Sequence, residues 1–94
     1  MKQKELYEDA VKEWGVELQL LMLQEECGEL ISAVSQYWRK RPDSFTKLAE
    51  EIADVEIMLG QIKQALFYGT DKDRVAEFKR KKLKRLAGRI YKSD

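Results

Sequence analysis

Histidine is missing from these 94 residues, which excludes Ser/His/Asp and Cys/His nucleophilic catalysis as well as histidine-ligated zinc. Chemistry here must run on carboxylates, lysines, arginines or hydroxyls. The single cysteine, Cys27, cannot close an intramolecular disulfide, and its place on an apolar helical stripe suits a small buried hydrophobe better than a nucleophile. Long apolar runs are also missing. The longest, Leu20 to Leu23, falls far short of the roughly 18 to 20 residues of a membrane-spanning helix, so no bilayer crossing is expected. The opening MKQKELYEDA lacks the apolar core of a secretory signal, and a cytoplasmic location is the expectation. Proline occurs once, at Pro42, and glycine only at 15, 28, 60, 69 and 88, so little interrupts helix; strand-like alternation and internal repeats are lacking.

The remaining composition, 44% hydrophobic and 37% charged, suits a globular helical protein. A single domain spanning 1–94 is expected. A chain this short buries only about 60 to 65% of its unfolded surface, so stability is marginal unless subunits associate, and self-association is anticipated.

Good helix formers from Lys4 to Trp14 predict a short first helix ending near Gly15. From Val16 to about Arg39, Leu20, Leu23, Cys27, Leu30, Ile31, Val34 and Trp38 recur at threes and fours, the spacing of one buried stripe. Pro42 breaks the pattern, and Asp43 or Ser44 can cap the next helix. A second stripe follows at Leu48, Ile52, Val55, Leu59, Ile62 and Leu66, so two helices should fold back antiparallel. Gly69 should end that helix, and Thr70 or Asp71 can cap a last one running to about Tyr91 with Val75, Phe78, Leu83, Leu86 and Ile90 on its apolar side. The expected fold is an all-α antiparallel bundle of about four helices.

A net charge of +1 hides an asymmetry. Residues 71–94 hold ten Lys/Arg against four acids, and residues 1–70 hold eight against thirteen, so a body of −5 carries a tail of +6. An acidic body beside a basic helix can hold a cation and a polyanion together, although a merely solvated basic helix would show the same charge.

In Glu25-Glu26-Cys27-Gly28-Glu29, the carboxylates of Glu26 and Glu29 leave one side of a helix, and Glu51 and Asp54 repeat the spacing on the next. Each doublet borders an apolar stripe, so packing of the stripes should bring the four acids face to face. Like charges so placed repel by several kcal/mol at about the reduced dielectric of a protein, and a cation must sit among them. Oxygen ligands without imidazole or thiolate select Mg2+, with Mn2+ able to substitute. Gly28, costly by about 1 kcal/mol in a helix interior, suggests close approach of a backbone or ligand. Glu25 and Glu50 point elsewhere, with Glu25 placed to assist a water.

These residues resemble a known family. Glu-Glu-x-x-Glu followed by Glu-x-x-Asp, here EECGE at 25–29 and EIAD at 51–54 with 21 residues between, is similar to the signature of the MazG-like all-α nucleoside triphosphate pyrophosphohydrolases, and the likeness runs from about Trp14 to Ile90. The resemblance implies Glu26, Glu29, Glu51 and Asp54 as metal ligands, assembly as a dimer or tetramer around a helical core, and water attack at the α–β phosphoanhydride, releasing a nucleoside monophosphate and pyrophosphate in nucleotide-pool housecleaning. Glu25 or Glu29 can accept the water's proton. The resemblance further implies phosphate-binding residues on the last helix, for which Lys82 and Arg85, then Lys81 and Lys79, are candidates; Arg39 and Lys40 are secondary. Tyr37 and Trp38 are the candidates for base contact, whereas Trp14, Phe67 and Phe78 read as core or interface. The competing reading is a nucleic-acid-binding or regulatory protein working through the basic helix. It leaves the four acids unexplained.

Overall fold

A computed structural model describes residues 2–67 and 73–92. The described residues form three helices, α1 (Gln3–Trp38), α2 (Ser44–Leu66) and α3 (Arg74–Ile90), and no strand, so the all-α expectation holds. The count is three rather than about four because the break expected near Gly15 is a kink within α1. Gly15 adopts φ 77° and ψ 159°, a region essentially reserved for glycine, and helix resumes on its far side.

The kink lets α1 hold α2 from two directions. Residues 16–38 run antiparallel to α2, while the arm before Gly15 returns over the second half of α2, where Tyr7 packs on Gly60 and Glu8 accepts a hydrogen bond from Gln64 Nε2 at 3.4 Å. A Cβ on Gly60 would stand 2.5 Å from the Tyr7 ring. A close approach is made at Gly60, whereas among the described residues nothing beyond its own stretch of helix lies within 4 Å of a Cβ built on Gly28, so no neighbouring backbone accounts for that glycine.

The turn between α1 and α2 is closed by the backbone. Arg41 N–H donates to Gln36 O and Lys40 N–H to Tyr37 O, with Lys40 left-handed at φ 58°, the Schellman arrangement built on lysine rather than glycine. Asp43 precedes α2 as expected but sits left-handed at φ 60°, and its side chain caps nothing. At α3 the N-cap is Asp73, which accepts from Ala76 N at 3.0 Å. The anticipated Gly69, Thr70 and Asp71 lie outside the described residues.

The core is narrow: Ala33, Val55, Met58 and Ile62, with Gln19, Ser44, Glu51 and Gln61 as buried polar neighbours. On α1 the line facing α2 is therefore Gln19, Glu26 and Ala33, not the centre of the apolar stripe. Ile31, Val34 and Trp38 are exposed, Leu23, Cys27 and Leu30 half-buried, and on α2 Ile52, Leu59 and Leu66 are exposed. None of Trp14, Tyr37, Trp38, Phe67 and Phe78 is buried. α3 barely touches the hairpin and has no buried residue.

Candidate metal centre

The carboxylates meet where the middle of α1 crosses the middle of α2. Glu26 is half-buried because it lies between Gln19 and Ala33 on the line of α1 that faces α2, and Glu51 is 2% exposed because it heads the series 51, 55, 58, 62 that forms the inner face of α2. Asp54, three residues on, stands at the open edge of the same face. One oxygen from each of Glu26, Glu51 and Asp54 lies within 4.8 Å of the other two. Three of the four expected ligands thus converge. Glu29 is exposed one turn along α1 and outside that set, yet its charge is the strongest carboxylate influence on Glu26. Glu25 is exposed and acts on Glu26 more weakly than the other three acids.

Burial pushes the Glu26 carboxyl above the usual glutamate range, and the charges of Glu29, Asp54, Glu51 and Glu25 push it further the same way. Glu26 Oε2 and Glu51 Oε2 are buried without a hydrogen-bond partner among the described residues. Leaving such oxygens bare is costly, and it is the condition that a cation relieves. The donor set is all oxygen on two helices, which fits a hard divalent ion.

One residue at this cluster is not among the sequence-derived candidates. Lys47 Nζ stands 3.0 Å from Glu51 Oε1, and this hydrogen bond, followed by the Glu51 charge, raises the Lys47 pKa. Its i, i+4 spacing to Glu51 was the legible signal. The lysine balances part of the negative charge but leaves Glu51 Oε2 free.

The basic candidates are placed elsewhere. Lys79, Lys81, Lys82 and Arg85 are exposed on α3, where Lys81 pairs with Glu77 at 3.6 Å. Lys79 and Lys82 flank a groove floored by Val75, Phe78, Leu83 and Leu86. Tyr37, Trp38, Lys40, Arg41 and Ser44 line a pocket of about 510 Å³ at the α1–α2 turn. Ser44 and Glu51 are seven residues apart on α2, about 10 Å of helical rise, so this pocket is separate from the carboxylates. Gln19 and Gln61, also unforeseen, form a fully buried 2.6 Å hydrogen bond one level beyond Glu26. Comparison with protein-family models, with curated proteins and with solved structures returns no match.

Proposed function

We propose that this chain is a magnesium-dependent nucleoside triphosphate pyrophosphohydrolase, of the kind that its EECGE and EIAD segments resemble, producing a nucleoside monophosphate and pyrophosphate. The carrying observation is the convergence of Glu26, Glu51 and Asp54 within 4.8 Å, with two buried carboxylate oxygens unpartnered. In this reading those three residues hold Mg2+ or Mn2+, and Glu29 joins them by a rotamer change on the adjacent turn. The ion supplies charge neutralisation for the phosphates and acidifies a bound water. Glu25 or Glu29 accepts the proton of the attacking water, since both are exposed beside the cluster. Lys47 holds Glu51 in its ligating orientation. Lys82 and Arg85, with Lys81, bind the triphosphate once α3 is docked, and Tyr37 and Trp38 contact the base.

Self-association belongs to the same proposal. The chain exposes 8088 Å², whereas a compact protein of its mass exposes about 5,700 Å². Its radius of gyration of 16.6 Å exceeds the roughly 12 Å of a globular chain of this length. A dimer or tetramer that covers the exposed stripes of α1, α2 and α3 removes the excess.

The test is release of pyrophosphate from a panel of canonical and modified nucleoside triphosphates, with Mg2+, Mn2+ or chelator. Glu51→Gln and Asp54→Asn should each reduce turnover by a factor of about 10² to 10³, the scale of losing charge stabilisation at a reacting centre, with helical circular dichroism unchanged. Near-normal activity in both variants would remove the acids from the reaction. Absence of pyrophosphate release throughout, together with salt-dependent binding of nucleic acid, would favour the basic helix as the functional element.

A further inference from the structure

We infer that Lys47 selects the ion: by holding one oxygen of Glu51 it leaves that carboxylate a single ligand atom, which suits magnesium or manganese and disfavours calcium. This role rests on the metal centre proposed above. Glu51 is 2% exposed, its Oε1 accepts from Lys47 Nζ at 3.0 Å, and its Oε2 is buried without a partner among the described residues. One oxygen is engaged and one is available.

Helix stability does not account for the pair. Lys47 lies in the first turn of α2, where the positive end of the helix dipole opposes a cation, and that turn holds no acid to offset it. The lysine also precedes its glutamate, the weaker order for an i, i+4 pair. Along α2, Lys47 stands a turn before Glu51 and Asp54 nearly a turn after it, so the two flank Glu51 from opposite directions. No other Lys or Arg among the described residues pairs with Glu26, Glu51 or Asp54.

Coordination chemistry turns this contact into a preference. Ca2+ takes about six to eight oxygens at roughly 2.3 to 2.6 Å and readily uses both oxygens of one carboxylate, whereas Mg2+ demands a near-octahedral shell at roughly 2.0 to 2.1 Å and keeps several waters. A Glu51 tied at Oε1 serves only the second pattern. The charge of the lysine acts differently, because offsetting one carboxylate weakens the attraction for every divalent ion alike. The ratio of two ion affinities therefore separates the engaged oxygen from the charge.

Calorimetric titration of the full chain with magnesium, manganese or calcium chloride, without nucleotide, tests the assignment. Lys47→Met, which keeps the stem and removes the ammonium, should lower the ratio of magnesium to calcium affinity at least about tenfold, the scale of losing a group that orients a metal ligand. Helical circular dichroism should be unchanged. In thermal melts, calcium should raise the melting temperature of the variant more, relative to magnesium, than that of the parent. Lys63→Met removes the same charge from α2 at about 18 Å of helical rise from Glu51 and should leave the ratio unmoved. Equal gains for both ions in Lys47→Met, or an equal fall of the ratio in Lys63→Met, would reduce Lys47 to a charge and overturn the assignment. A parent chain that binds no divalent ion would overturn this role and the metal centre together, whereas bound magnesium with an unmoved ratio would overturn this role alone.

Discussion

Glu26 has the environment least favourable to its own charge: a half-buried carboxyl surrounded by Glu29, Asp54, Glu51 and Glu25. Its pKa is raised in the fold, so the folded state holds the proton more firmly than the unfolded chain does. Without metal, stability therefore falls as pH climbs from the ordinary glutamate range through the raised value, and stays at its lower level above it. Glu26→Gln should remove that slope and raise the melting temperature of the chelated protein at neutral pH, while abolishing the stabilisation that magnesium confers. Thermal melts at pH 5 and pH 7.5, with and without Mg2+, read both effects. A variant no more stable than the parent at pH 7.5 in chelator would show that Glu26 escapes the crowding. Gln19 makes the opposite case: its only described partner is Gln61, so Gln19→Ala should cost about 1 to 3 kcal/mol by stranding a buried amide, measurable by urea denaturation.

At the scale of elements, the α1–α2 turn is closed at some cost in backbone conformation. Lys40 occupies the left-handed position of the Schellman motif where glycine is favoured, and a side chain there costs about 1 kcal/mol. Lys40→Gly should therefore stabilise the hairpin by roughly 0.5 to 1 kcal/mol in chemical denaturation. A destabilised glycine variant would mean that the lysine side chain supports the turn in some other way. Element identity followed from the sequence well, because threes-and-fours periodicity together with one proline leaves few choices. Which face of each element is inner did not follow. The stripe of Leu20, Ile31, Val34 and Trp38 has the right spacing, but helix α1 is rotated so that smaller Ala33 and polar Gln19 lie against α2. Periodicity gives the direction of an apolar side without saying which neighbour covers it.

At the scale of the whole molecule, exposed apolar surface runs along both helices of the hairpin and along α3, a distribution that a lone chain rarely tolerates. If the proposed self-association covers it, the double change Ile31→Lys and Leu59→Lys should shift sedimentation to a monomer and make the melting temperature independent of protein concentration. A parent chain that sediments as a monomer at micromolar concentration would remove this part of the proposal. Magnesium at a hundredfold excess over its dissociation constant should stabilise the assembled protein by about 2.7 kcal/mol, because binding to the folded state alone shifts the equilibrium by mass action.

The residue types and their spacing by themselves determined an all-helical chain, a turn at Pro42, and two acidic doublets each bordering an apolar stripe, since helical geometry converts i, i+3 spacing directly into a shared side. Only the tertiary structure decided that Glu26, Glu51 and Asp54 converge while Glu29 stands one turn away, and that Gly60 receives the Tyr7 ring. Those outcomes depend on the rotation of each helix about its own axis. That angle is set by how side chains of two distant segments interlock, and no local pattern encodes it.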